Sequence, residues 1–336
     1  MIVRARAPLR VDLAGGWTDV APYAARSGGA VLNVAVTLYA HATVETGGEG
    51  VRLHARDLGG HVTARRAADL RPEGELALLQ AAARKYAPTD AFALSTWCDA
   101  PPGSGLGGSA ALGVALVAAL SAARGEDRLP AELAADAFEL ERVDAGVVGG
   151  KQDQYAAALG GVQFLSFEDP ALTATRLRLP AAAYYELEQS LVLCYSGVSR
   201  FSDATHRTVW RRYEAGDRDV AAALDGIKGC ALQMRRALEN GDLPETARLM
   251  DENWRHQRAL AEGMQTESMA TLERAARAAG AEGVKACGAG AGGCLAVLAK
   301  PGCEVDVAHA LRDAGGTVLP ARFDTRGVVS WSPLPR

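Results

Sequence analysis

The sequence predicts a mixed α+β fold in two parts, and three observations lead there. Its 336 residues exceed what a single hydrophobic core usually fills. Apolar runs of strand character fall in pairs at hairpin spacing. Helical runs are grouped between those pairs and do not alternate with single strands, which argues against a doubly wound parallel sheet. With 49% hydrophobic and 23% charged residues the chain has the composition of an ordinary globular protein and apolar material for a sizeable core.

The elements follow in order. "VLNVAVTLYAHATVE", Val31 to Glu45, is rich in β-branched residues and reads as a long, largely buried strand. "VRLHARD" and "HVTARR" form a hairpin beyond it, a helix covers Glu73 to Lys85, and "FALSTWC" at 92–98 returns to a strand. A glycine-rich loop then leads to a helix from Ser109 to Arg124, which holds helix formers, no proline and one glycine, Gly113. A second helix runs over 130–146, with Pro130 at its start and Gly146 past its end. After "KQDQYAAALGG", the segments "VQFLSF" and "ATRLRL" pair as a hairpin, and "SLVLCYSGV" from Ser190 to Val198 is a central strand. Several helices fill 199–280. "GVKACGAGAGGCLAVLAK" is a strand–loop–strand unit, followed by a helix near 304–314 and closing strands. The pattern breaks at "RLPAAAYYELEQ", which places a boundary between 1–182 and 183–336.

The formal net charge of −4 offers no general attraction to nucleic acid or to an anionic membrane, so an anionic ligand needs a local site. Small molecules are favoured over polymers as partners. The six cysteines, at 98, 194, 230, 287, 294 and 303, include no Cys-x-x-Cys pair and read mostly as buried apolar fillers. The start "MIVRARAPLR" lacks the apolar core of a signal peptide, and no run reaches membrane-span length; a cytoplasmic location is expected.

The loop "APPGSGLGGSAAL", residues 100–112, carries the chemistry. Consecutive glycines let backbone N–H groups turn inward, and at a helix N-terminus such a nest attracts a phosphate. The loop lacks the Gly-Lys-Ser/Thr ending of a P-loop, and "GSGLGG" matches Gly-x-Gly-x-x-Gly only weakly. On these residues alone, a plain connecting turn has as strong a claim.

Three separated stretches together resemble the GHMP kinases: "APLRVDLAGGWTDVAPY" near the N-terminus, "PPGSGLGGSAAL", and "KACGAGAGGCLAV" near the C-terminus. The resemblance implies an N-terminal S5-domain-2-like α/β domain, a C-terminal helix-rich ferredoxin-like domain, and ATP and Mg²⁺ as cofactors. Pro102, Gly103, Ser104, Gly105, Leu106, Gly107, Gly108 and Ser109 would wrap the nucleotide phosphates. Ser109 and Glu141 would hold the metal. Glu141 stands twelve residues before Asp153, as in galactokinases, although a solvated helix-face carboxylate is the plain alternative. Asp153 would orient the acceptor hydroxyl and take its proton; a carboxylate satisfying helix N-terminal donors is its alternative. Arg10 would neutralise that aspartate and the transition state.

Toward the acceptor, the resemblance implies roles for Asp19, which would receive hydroxyl hydrogen bonds, with Thr18, Trp17, Lys151 and Gly290 as neighbours. Trp17 reads equally as a stacking wall or as core. His206 and Arg200 suit a substrate or a helix start. The branch most resembled contains D-glycero-α-D-manno-heptose 7-phosphate kinase and L-fucokinase, which phosphorylate the anomeric C1 hydroxyl. "GGWTD", where heptose kinases usually read Gly-Gly-Gly-Thr-Asp, is closer to the fucokinase form, and Gly108 stands where serine or threonine is common. A 7-phosphate would need basic partners, for which Lys151, Arg26 and Arg200 are candidates. The expectation is a C1 sugar kinase, heptose 7-phosphate ahead of a free hexose, with a catalytically silent sensor and a mevalonate-type kinase as alternatives. A homodimer stays open.

Overall fold

The computed structural model describes residues 1–146, 149–168, 171–198 and 203–333. The chain opens with β1 (Ile2–Ala14), a strand no hydrophobic run announces because Arg4, Arg6 and Arg10 interrupt it. The alternation is nonetheless there: Val3, Ala5 and Ala7 are buried while Arg4 faces solvent. A short helix α1 (Tyr23–Ser27) leads to β2 (Gly29–Thr46), which spans 18 residues. The hairpin β3 (Val51–Ala55) and β4 (Gly60–Ala64), the helix α2 (Ala77–Lys85) and β5 (Phe92–Cys98) follow, all close to expectation.

Next come α3 (Gly108–Ala123), α4 (Pro130–Glu139), α5 (Gln152–Leu159) and the hairpin β6 (Val162–Glu168) and β7 (Ala171–Arg176). α3 is apolar on every side, as a helix enclosed by other elements must be, and lies against β1 and β2 with α4 and α5 beyond it. α4 does not continue to residue 146 as a regular helix; it passes into a π-helical turn at Leu140–Asp144.

The second half contains α6 (Ala181–Ser190), β8 (Leu191–Tyr195), α7 (Asp203–Glu214), α8 (Arg218–Asn240), α9 (Leu243–Ala259) and α10 (Glu267–Ala278). It closes with β9 (Ala281–Ala286), β10 (Cys294–Ala299), α11 (Glu304–Asp313), β11 (Thr317–Leu319) and β12 (Val329–Trp331). Side-chain caps start three of these helices where the sequence offers Asp217, Asp242 and Thr266.

Two sheets result. In the first the order is β12-β1-β2-β5-β3-β4, and the long β2 uses one edge twice, pairing β6 through Gly29–Val34 and β5 through Ala40–Thr46. The second, β11-β8-β10-β9, is antiparallel throughout, the order of a ferredoxin-like unit with helices between its first two strands and its last two. One core cluster joins Leu9, Val11 and Val36 of the first sheet to Leu193, Ala296 and Leu298 of the second. No helix is long and apolar enough to cross a membrane among the described residues.

Candidate active site

The glycine loop joins β5 to α3, and its shape demands its composition. Gly103, Gly105 and Gly107 have φ of +70°, +75° and +73°, a region side chains avoid. A Cβ on Gly105 would lie 2.5 Å from the Cys287 carbonyl oxygen, and one on Gly107 3.2 Å from Asp153 Oδ2. Buried Leu106 pins the loop from beneath. Three successive carbonyls turn into the protein: Ser104 accepts from the Cys294 N–H at 2.8 Å, Gly105 from Arg10 Nη1 at 2.5 Å, and Leu106 from the Arg10 N–H at 3.0 Å. Because N–H and C=O oppose each other across a trans peptide, the N–H groups of Gly105, Leu106 and Gly107 face away from that anchor, next to the N-terminus of α3, whereas the Ser104 N–H donates to the Pro101 carbonyl at 3.2 Å. Pro102, Gly103 and Ser109 are exposed there, Gly108 is partly so, and Ser104 is buried.

Arg10 and Asp153 meet over this loop. Arg10 Nε and Nη2 each donate to the carboxylate at 2.8 Å, a two-point grip that fixes both planes. The Arg10 side chain is 5% exposed and that of Asp153 25%, so the carboxylate is open on one side. Burial pushes the Asp153 carboxyl above its ordinary range, against the pull of Arg10, with buried Asp12 adding to the upward shift. Burial opposes the charge on Arg10 too, yet Asp153 and Asp12 outweigh it and the guanidinium is held more firmly than usual.

Glu141 reaches the same region from the π-helical turn, whose extra residue re-aims the side chains that follow. Its Oε1 accepts from Ser109 Oγ at 2.7 Å and its Oε2 from Gln154 Nε2 at 2.6 Å, so it is no free surface carboxylate. Burial raises its pKa; the Ser109 and Gln154 bonds hold it down, and Asp153 adds to the rise. Glu139 instead pairs with Lys85, outside the site.

The acceptor residues divide. Asp19 is 6% exposed, accepts from the Gln152 backbone N–H at 3.1 Å and from Gln152 Nε2 at 3.3 Å, and lies directly over Gly150, where a Cβ would collide with it. Burial first, then the Asp153 charge, pushes its carboxyl up to about 7. Thr18, expected beside the sugar, is instead fully buried: its hydroxyl donates to the Gly15 carbonyl at 2.7 Å, accepts from the Ala30 N–H at 3.1 Å and braces the turn. Trp17, 3% exposed with φ +85°, stacks on His206 at 4.3 Å within a cluster that includes Tyr23, Trp210 and Leu224, which selects the core reading over the stacking wall. Lys151 directs its ammonium over the Phe138 ring at 5.5 Å, and Arg26 its guanidinium over Tyr213 at 5.4 Å. Gly290 packs on the Met264 carbonyl, at the outer end of its loop. Arg200 lies outside the described residues. Four of the cysteines, Cys194, Cys230, Cys287 and Cys294, are buried fillers, as expected.

Several residues with no expected role support the site. Gln152 and Gln154, flanking Asp153, hold Asp19 and Glu141; their i±1 placement on the first turn of α5 was the available signal. On α9, buried Asn253 accepts from the Gly15 N–H at 2.9 Å, and Gln257 donates to the Gly288 carbonyl at 2.9 Å, so one helix face grips two glycine segments. Asp12 and Lys285 form a fully buried ion pair at 2.8 Å. Nothing in the local pattern announces these last four, because the partners that tie them to other elements are more than 30 residues away.

A glycine loop at a helix N-terminus with an arginine-paired, partly open carboxylate against it suits phosphoryl transfer to a small molecule. Residues 76–161 match the family described as GHMP kinases N terminal domain, and 234–316 that described as GHMP kinases C terminal. The chain is 31% identical, over 98% of both sequences, to D-glycero-alpha-D-manno-heptose 7-phosphate kinase of Campylobacter jejuni. It is 29% identical over 97% of its length to the bifunctional fucokinase/GDP-fucose pyrophosphorylase of Arabidopsis thaliana, of which it spans 32%. A crystal structure of a D-glycero-D-manno-heptose 1-phosphate kinase from Bacteroides thetaiotaomicron superposes with a TM-score of 0.81 at 30% identity, covering 99% of this chain and 100% of that one. The chain belongs to the GHMP kinases.

Proposed function

We propose that the protein is an ATP- and Mg²⁺-dependent sugar kinase that phosphorylates the anomeric C1 hydroxyl of D-glycero-α-D-manno-heptose 7-phosphate; the alternative acceptor is a free hexose such as fucose. The observation that carries the reading is the Arg10–Asp153 pair set against Gly107, an arrangement that suits a proton acceptor beside a phosphate-binding loop. The whole-length likeness to a heptose 7-phosphate kinase supports the choice of sugar.

In this reading the sugar oxygen forms a bond to the γ-phosphorus as the bond from that phosphorus to the β,γ-bridging oxygen breaks, and ADP leaves. Asp153 receives the hydroxyl proton. Burial holds its pKa above the ordinary value, which strengthens it as an acceptor of that proton. Arg10 pulls the Asp153 pKa down against burial and offers fixed positive charge to the transferring group. The Gly103–Ser109 backbone would hold the nucleotide phosphates, and Asp19 would accept from sugar hydroxyls. Ser109 Oγ and Glu141 Oε1, two hard oxygens 2.7 Å apart, fit a divalent cation. When bound, Mg²⁺ would neutralise charge on the phosphates.

The test is ADP release from ATP and Mg²⁺ with heptose 7-phosphate, fucose, mannose, galactose or mevalonate, for wild type and Asp153→Asn. Sugar-dependent turnover that falls about a thousandfold in Asp153→Asn with ATP affinity kept is the expected result. Near-normal turnover in the variant would remove Asp153 from the chemistry. Nucleotide binding with no turnover on any acceptor would favour a sensor.

A further inference from the structure

Lys285 is fully buried, at 0% exposed, and no step above uses it. It stands on β9, two residues before the glycine loop that begins at Cys287. Its ammonium donates to Asp12 Oδ2 at 2.8 Å, to the Asp12 carbonyl at 3.1 Å and to the Ala286 carbonyl at 3.0 Å, so all three protons are used. Asp12 is 1% exposed and lies on β1, two residues beyond Arg10. In a strand that spacing puts both side chains on one face.

The contacts close a ring. Lys285 ties the carbonyl and carboxylate of Asp12 to β9. β9 runs into Cys287 and Gly288, where a Cβ on Gly288 would come within 2.8 Å of the Gly105 carbonyl oxygen. That carbonyl accepts from Arg10 Nη1, and Arg10 sits beside Asp12 on β1. Apart from the two short stretches of chain, each link is a hydrogen bond or a backbone approach too close for a side chain, so the ring has little play. Resting on the kinase reading, we propose that the buried Asp12–Lys285 pair is the positioning device of the transfer site: it locks β1 to the third glycine segment and so sets Arg10, and through it Asp153, against the phosphate loop.

Removing one partner strands a buried charge and destabilises the fold for that reason alone, whereas removing both charges together is often tolerated. The double variant therefore separates the two roles. Asp12→Asn/Lys285→Met abolishes the ion pair without leaving an unpaired charge, yet methionine cannot bond the Asp12 carbonyl, and Arg10 loses its fixed register. Wild type, Lys285→Met, Asp12→Asn and the double variant are compared by thermal melting and by steady-state kinetics on the sugar that wild type phosphorylates. Both singles melt well below wild type. The double regains most of the melting temperature while its kcat stays about a hundredfold down and its KM for ATP changes little, the effect of a small misplacement at a transition-state contact. A double variant that regains kcat along with stability overturns the proposal and leaves the pair a stabilising contact only. Equal losses in kcat and in ATP affinity would overturn it too, since the whole nucleotide loop would then have moved. Wild type silent on every sugar fails the kinase reading itself and takes this proposal with it, a result distinct from either of those.

Discussion

Asp19 carries the clearest pH signature of any single side chain in the site. Its carboxyl has an ordinary value of 3.8 and is raised to about 7 by burial and by the charge of Asp153. The native state then binds that proton more tightly than the unfolded chain does, so the contribution of Asp19 to stability is full below 3.8 and is lost as pH rises toward 7. Asp19→Asn removes this component. The difference in melting temperature between wild type and variant should shift in favour of the variant as pH rises through that interval and stay constant above it. The same ionisation governs the proposed sugar contact, because only the carboxylate receives two hydroxyl donors well. KM for the sugar is therefore expected to fall as pH rises through about 7 in wild type and to stay flat in Asp19→Asn. A wild-type KM without that inflection would mean that Asp19 serves the fold and not the acceptor. The sequence made the residue legible as a candidate through its motif, while the cause of its shift, the closure of Gly150 and Gln152 over it from more than 130 positions away, had no local trace.

At the scale of elements, α3 and the loop before it test how glycine is used. Gly113 sits mid-helix at an ordinary φ, and a Cβ there would meet its nearest neighbours at 3.6 and 3.8 Å, normal contact distances. Gly113→Ala should raise stability by about 1 kcal/mol, measured by denaturant unfolding, with kcat unchanged. Gly105→Ala is the opposite case. Its φ of +75° costs an L-residue about 1 kcal/mol or more, and the added carbon strikes a backbone carbonyl that cannot swing aside. Loss of ATP affinity together with stability is the expected outcome, and an unaffected Gly105→Ala would show that the loop is not the phosphate cradle. Both glycines look alike in the sequence. The hairpins, β5 and α3 were legible because their periodicity and punctuation are local. β1 was not, since small alanines and outward arginines blur its alternation, and neither was the π-helical turn that aims Glu141, because it changes hydrogen-bond register without changing residue type.

For the whole molecule, the question is whether the two sheets stand apart or fold as one. The proposed division between 182 and 183 separates their strands with one exception: β12, nearly the last described segment, returns to pair with β1 through Arg4 to Arg6. Packing ignores the division as well. Met234 and Leu238 of α8 and Met250 of α9 share a cluster with Leu9 and Val36, and a Cβ on Gly15 would strike Ala231 of α8 at 2.8 Å. The buried Asp12–Lys285 pair crosses between the sheets, where separation would expose both charges to a new environment at once. Interfaces between independent domains are usually more polar than this. The two halves should therefore unfold together: one calorimetric transition, with calorimetric and van't Hoff enthalpies equal and with tryptophan fluorescence and far-ultraviolet circular dichroism coincident. A fragment ending at residue 182 should not fold alone, because it lacks β12, α8 and α9 and leaves the inner ends of β1 and β2 uncovered. Two resolved transitions, or a stable fragment, would show that the shared core is an interface between separable units. The ring from Lys285 to Arg10 would then be expected to open and close as those units move, whereas a single transition makes it a fixed part of one body.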